Sequence, residues 1–407
     1  MLSDEVIDKV TERLVKRMEQ GNTMILKKIG ESVKEIKDLS PSSVHALSQI
    51  MEYGGDYDKI VNELSKITSI NVQELNEIFK EVAKNDYQFA EKFYKYKNIK
   101  YIPFEENIVL QNQISELART TSEKFMNMSN TRMIGFNTLD LDGNVVFKDL
   151  KQTYTDLMDV AVLNVNEGTE NFDSAMSTML EQVGRSGLQV VNFESGRSYR
   201  LDSAIKMNLK GALRDLHNTM QIELGEEFGA DGVEISVHSY PAPDHEDAQG
   251  RQFSYEEFEK LQSRGYATDC KDKEISMLRT TKKGRTYHRP ISMYNCYHYV
   301  FSIVLGVNEP QYSEEQLNEI NSQNDNGFDF EDKHYSLYEG SQLQRQIERT
   351  VRNWKDVQTL AKASDNEELF LKSQDKITKL TQKYKELSDA SGLPTYMERM
   401  RIVNKKT

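Results

Sequence analysis

The sequence predicts a mainly α-helical protein with one small α+β domain and extended helical regions at both ends. Three observations carry that expectation. Only 7 of the 407 residues are proline, so little interrupts a helix. Apolar residues recur at three- and four-residue steps towards both ends, the period of one helical face. Turn-forming residues, both cysteines and a strand-like alternation cluster between 230 and 310.

At the N-terminus, Ile7, Val10, Leu14 and Met18 share a face, and Ile25, Ile29, Val33 and Ile36 resume it after Gly21-Asn22. Ser40-Pro41 has the form of an N-cap followed by proline at the first helical position, and Gly54-Gly55 ends that helix. Asn71 with Glu74 resembles a capping box ahead of Leu75, Ile78, Phe79 and Val82. Residues 1–100 therefore form an N-terminal helical region of several helices and short turns. Two short successive helices could be a helix-turn-helix DNA reader, but no basic recognition helix accompanies them, which favours a plain bundle.

Residues 101–190 form a second helical region with a short hairpin near 136–147. There the turn Asp140-Leu141-Asp142-Gly143-Asn144 is flanked by Phe136, Leu139, Val145 and Phe147. The Asp-x-Asp-Gly string suggests a calcium loop, but the twelve-residue ligand ladder and closing Glu are missing.

The α+β core spans 191–312. Ser195-Gly196-Arg197-Ser198-Tyr199-Arg200 is a compact turn, and Asp202 starts a helix with Ile205, Leu209, Leu213, Leu216 and Met220 along one face. Gly229 and Gly232 break it. Val233, Ile235 and Val237 then alternate with Glu234 and Ser236, the pattern of a half-buried strand. Residues 313–332 carry seven acids and no bases, so 313–340 is expected to be a solvated acidic linker. Helical periodicity returns over 342–357 and 366–388, within a basic C-terminal region, 341–407.

Charge limits the function classes. With 65 acidic against 52 basic residues the net charge is −13, so the bulk field does not draw nucleic acid. Residues 341–407 hold 14 Lys/Arg and 9 Asp/Glu, leaving −18 on the remainder. DNA or an acidic partner would meet that tail; the plainer alternative is a solvated helix of mixed charge. No apolar run approaches the roughly 18 residues of a membrane span. The acidic start Met1-Leu2-Ser3-Asp4-Glu5 lacks a signal-peptide layout. Two cysteines do not make a disulfide scaffold. A soluble protein of a reducing compartment is expected.

Common catalytic signatures are absent: no Walker A loop, no G-x-G-x-x-G, no H-E-x-x-H, no G-x-S-x-G. The exception is a cluster of His238, His245, Cys296 and His298. Imidazole and thiolate are the ligands zinc prefers, so these four could close a tetrahedral structural site. The alternatives are hydrogen-bonded core histidines, a Cys296/His238 nucleophile pair, and a Cys270–Cys296 disulfide.

These residues carry a resemblance. Tyr199-Arg200-Leu201-Asp202, Ser236-Val237-His238, Pro243-Asp244-His245, Gln249-Gly250-Arg251 and Asn295-Cys296-Tyr297-His298 occur in the order found in the phage minor capsid protein family (type 2), distantly similar to MuF-like head morphogenesis proteins. Ala248 stands where the family usually has an aromatic residue, and Tyr297 where it has arginine. Gln344-Arg345-Gln346-Ile347-Glu348-Arg349, with Arg352 and Lys355, resembles the family's later helix. The likeness covers about 110–405. It implies a structural virion protein, present in few copies near the portal, acting in head assembly or DNA packaging and in some relatives ejected with the genome. Implied partners are the portal and major capsid proteins, with phage DNA a candidate for the basic tail. No enzymatic activity comes with it. A virion-carried metal- or thiol-dependent hydrolase and a DNA-binding packaging accessory are the competing readings.

Overall fold

The structure is a computed structural model. It describes residues 4–37, 57–97, 100–128, 134–140, 142–153, 155–156, 169–191, 197–281, 284–292, 296 and 298–402. Ten α-helices and thirteen short strands lie among them. The elements expected at Ser40-Pro41 and Gly54-Gly55, and the start of the turn at Ser195-Gly196, fall outside the described residues. The chain divides into two compact units, each drawn from three separated stretches.

Unit 1 comprises Met1–Thr11, Asn71–Ser122 and Met207–Gln342. Helix α3 (Val72–Lys97) begins as the sequence implies, with the Glu74 N–H donating to Asn71 Oδ1 at 2.8 Å. It precedes α4 (Ile108–Met128). Most of the long helix α6 (Leu201–Glu227) belongs here too. The His217 imidazole is fully buried, 2.7 Å from the Asp86 carboxylate and edge-on to the Tyr299 ring.

The centre of unit 1 is an antiparallel three-stranded sheet. Strand β5 (Gly232–Ile235) lies between β11 (Val300–Ile303) and β6 (Gln252–Ser254). Helix α7 (Tyr255–Arg264) follows β6, capped by the Ser254 hydroxyl, which accepts from the Glu257 N–H. Val233, Ile235, Phe253, Phe258, Leu261, Ile275, Met277 and Val300 form the core. Hairpins β7–β8 (Tyr266–Thr268, Glu274–Ser276) and β9–β10 (Arg279–Thr280, Thr286–Tyr287) complete it.

Two expectations need correction. Strand β5 is not half-buried: all four residues are buried, Glu234 included. Its carboxylate accepts from Gln252 Nε2 at 2.8 Å and from the Gln311 N–H at 3.2 Å, which replaces the lost water. The strand also ends at Ile235, short of Val237. The acidic stretch 313–340 is not a solvated linker. It holds helix α8 (Glu314–Asn326), hairpin β12–β13 (Phe328–Phe330, Lys333–Tyr335) and the start of α9 (Leu337–Ala363). Ser313 and Gln316 form a capping box, Glu314 and Glu315 suit the positive end of the helix dipole, and Leu317 and Asn324 are buried. Glu315, Glu319 and Asp325 lie on the helix's exposed face, and Asp329, Glu331 and Asp332 on the exposed hairpin.

Unit 2 comprises Glu12–Ile70, Glu123–Lys206 and Leu343–Thr407. Helix α1 (Asp4–Lys37) runs unbroken through Gly21-Asn22. A Cβ at Gly21 would lie 3.1 Å from Leu64, so the glycine lets helix α2 (Tyr57–Thr68) pack close. Ile25, Leu26, Ile29 and Val33 are fully buried. The expected turn at Asp140–Asn144 joins β1 (Ile134–Leu139) to β2 (Val145–Asp149), in a four-stranded antiparallel sheet with β3 (Gln189–Val191) and β4 (Ser198–Arg200), ordered β2-β1-β3-β4. Helix α5 (Thr169–Ser186) buries Met176, Leu180 and Val183. Helices α9, from Leu343, and α10 (Glu367–Ser391) bury Val351, Trp354, Val357, Tyr384 and Leu387.

Candidate metal centre

Pairing of β5 with β11 builds the site. Val300 opposes Ile235, and the Ser236 N–H donates to the Tyr299 carbonyl at 2.9 Å. The turn leaving β5 and the segment entering β11 are thereby side by side. That turn closes on itself: the His245 N–H donates to the Ala242 carbonyl, and the Ala248 and Gln249 N–H groups donate to the His245 carbonyl. Gly250 then returns its N–H to Ile235 at φ +69°, where a Cβ would meet Leu317 and Val237. Across from it, Ser292 takes a left-handed φ of 66° and its hydroxyl donates to the His298 carbonyl at 2.5 Å.

Three of the four expected ligands come together. The ligand atoms of His245, Cys296 and His298 all lie within 4.8 Å of one another. Cys296 Sγ is 3.3 Å from Nδ1 of His245 and 3.3 Å from Nδ1 of His298. The side chains are nearly inaccessible, at 1%, 4% and 3% exposure for His245, Cys296 and His298. His238 is half-buried beside this trio, its ring centroid 4.6 Å from that of His298. Asn295 and Tyr297 fall outside the described residues. Cys270 and Cys296 are both free thiols, so the disulfide alternative is overturned. At Asp140, Oδ1 accepts the Asp142 and Asn144 N–H groups, so the carboxylate serves the turn of the Asp-x-Asp-Gly string itself.

Burial sets the protonation. It pushes the Cys296 thiol up, and it pushes His298, with His238 and His245 nearby, well below the ordinary imidazole value. His245 is lowered by burial against the opposing pull of Asp244. A catalytic thiol needs a depressed pKa and an approach for substrate. Cys296 has the opposite of both.

The surrounding polar residues hold these side chains in place. Arg289 acts twice: its guanidinium grips both oxygens of buried Asp244, and its carbonyl accepts from His245 Nε2 at 2.8 Å. Burial pushes the Asp244 carboxyl up, but the Arg289 hydrogen bonds and the nearby charges hold it below its usual range. Gln249 Oε1 accepts the His238 N–H at 2.9 Å and faces His298 Nε2 at 3.4 Å, while its Nε2 donates to Asn321. Arg251 bridges Asp269 and Glu314. Sequence reasoning missed Arg289, Asn321 and Glu314, common residue types far along the chain.

The sequence profile of the family described as phage minor capsid protein 2 matches residues 2–389. The chain belongs to that family. No curated protein and no solved structure matches it. It is a minor capsid protein, a structural component of the phage head. The other family-like positions of this minor capsid protein are also bonded within the fold. Ala248, standing where the family has an aromatic residue, is wholly buried. In unit 2, Arg200 bonds Asp202 and Asp356, at 3.1 and 2.6 Å, and Arg352 bonds Asp202 at 2.7 Å. Asn22 of α1 donates to Asp356 and accepts the Leu188 N–H. Gln344 bonds Ser388, and the Tyr384 hydroxyl donates to Glu348. No described helix is long and apolar enough to cross a membrane.

Proposed function

We propose that this minor capsid protein is a structural adaptor beside the portal that meets packaged DNA through a basic groove in unit 2. The family match over 2–389 supports the head role. The buried, inaccessible thiol favours a structural over a hydrolytic reading. A lysine row supports the DNA contact. Lys372, Lys376, Lys379 and Lys383 recur at helical steps along α10 and line a groove of about 530 Å³ with Arg185 and Trp354. Glu181 is the only carboxylate among its lining residues. Lys372–Glu181 and Lys379–Asp375 are ion pairs with exposed lysines, and such pairs are worth about 0–1 kcal/mol, so a phosphate can displace them.

Two experiments test this. Cross-linking within purified heads should join the protein to the portal, and heads lacking it should assemble with a packaging or assembly defect. Cross-links to the shell alone, far from the portal vertex, would sink the placement. Binding to a DNA duplex should weaken steeply with salt. Replacing the four lysines by alanine should lower the slope of log affinity on log salt by up to about 3–4, near 0.9 per lost phosphate contact. An unchanged slope would remove DNA from the proposal and leave the adaptor role standing.

A further inference from the structure

The three converging ligand atoms pose a problem of proton count. His245 Nε2 faces the Arg289 carbonyl at 2.8 Å. A carbonyl only accepts, so Nε2 carries the ring proton and Nδ1 presents a lone pair. His298 Nε2 faces Gln249 Oε1, which is fixed as an acceptor because it already receives the His238 N–H. The same reasoning leaves the His298 Nδ1 lone pair uncovered. Both lone pairs point at Cys296 Sγ, each at 3.3 Å. One S–H supplies a single proton and can satisfy one ring only. The His298 backbone N–H also donates to the sulfur, at 3.4 Å, which favours electron density there. The pocket thus gathers three donor atoms of soft-metal type with one proton among them.

We infer that His245, Cys296 and His298 form a structural metal site that takes one zinc-class divalent ion through two Nδ1 atoms and one thiolate. A tetrahedral zinc with usual Zn–S and Zn–N bonds separates S from N by about 3.6 Å, so small side-chain shifts suffice. On binding, the S–H bond breaks, its proton passes to solvent, and the sulfur lone pair bonds the metal. Each ring's outer N–H keeps its carbonyl or amide partner, the arrangement that orients metal-bound histidines. His238, its ring centroid 4.6 Å from that of His298, is an imidazole at hand for the fourth position. The ion would tie the β5 turn to the start of β11. This inference does not depend on which head surface the protein contacts.

The test uses the full chain, purified, stripped with a chelator and titrated with Co(II) and Zn(II). One equivalent should bind, with release of about one proton. The cobalt form should show tetrahedral d–d bands and a thiolate-to-cobalt charge-transfer band, and zinc should displace it. Cys270→Ser changes only the exposed thiol, so the band should persist there. Cys296→Ser should lose it, as His298→Gln should lose tetrahedral binding. The wild-type and Cys270→Ser spectra decide the matter even if the buried variants fail to fold. No bound metal, a six-coordinate spectrum without the thiolate band, or loss of the band in Cys270→Ser would overturn the site.

Discussion

Glu19 shows what a single half-buried carboxyl does to this molecule. Burial, and then the Asp202 charge, raise it to about 7, against Arg352 and Arg200. Its folded value lies above its unfolded value. The stability it contributes is therefore fully present below the ordinary carboxylate range and is lost as pH rises through about 7. Glu19→Gln should flatten that decline and stabilise the protein by about 1–3 kcal/mol at pH 8. Melting curves of wild type and variant at pH 5 and pH 8 check it; parallel shifts in both would refute it. Arg289→Met keeps the carbonyl that bonds His245 but strands the buried Asp244 carboxylate, at a cost of about 3–5 kcal/mol. Adding Asp244→Asn should restore part of that loss in denaturant titrations. At this scale the sequence was legible where residue types are scarce. His245, Cys296 and His298 stand out among 7 His and 2 Cys. Asp356, Asn22 and Arg289 are common types whose partners lie far off in the chain, and no local pattern marks them.

At the scale of elements, periodicity served well wherever one face is apolar and the other wet. The faces of α3 and of the C-terminal helices are of that kind, while the β1–β2 hairpin was legible from its turn residues instead. At β5 the alternation found the strand but implied a wet second face, whereas Glu234 is buried and bonded to Gln252 and Gln311; at α8 the acids mask a short buried edge. Ser313→Ala should cost about 1 kcal/mol and speed amide exchange in the first turn of α8; unchanged exchange there would discount the cap. Gly184 of α5 is a sharper case. Alanine normally gains about 1 kcal/mol over glycine inside a helix. Here the new Cβ would sit 2.7 Å from the Val357 Cα, an atom that cannot rotate away. Gly184→Ala should therefore destabilise by about 1–3 kcal/mol, and a raised melting temperature would show that α5 and α9 separate more easily than this packing implies.

For the whole molecule, charge and composition divide together. Unit 1 carries 21 Lys/Arg against 35 Asp/Glu, and unit 2 carries 31 against 30. Nearly all the negative charge thus belongs to the unit with the cysteine–histidine cluster, and the lysine groove belongs to the neutral one. Raising ionic strength should relieve self-repulsion in unit 1. Hydrogen exchange in 50 mM and 300 mM salt should show its slowest amides gaining protection while those of unit 2 do not; equal gains in both would set that asymmetry aside. That each unit is assembled from three separated stretches is something no reading of local pattern reveals, because strand order and long-range packing are decided by surfaces that meet only after folding.

The bonds of Asn22 to Leu188 and Asp356 carry a consequence for the ribosome. The apolar residues of α1 leave the exit tunnel long before α9 and α10, which complete unit 2, are made. At roughly 5–20 residues per second, the nascent chain holds that helix without its final partners for tens of seconds. Ile25, Leu26, Ile29 and Val33 need a temporary cover throughout, so a chain terminated before Leu343 should bind chaperones or precipitate, while a chain that includes α9 and α10 buries the same surface.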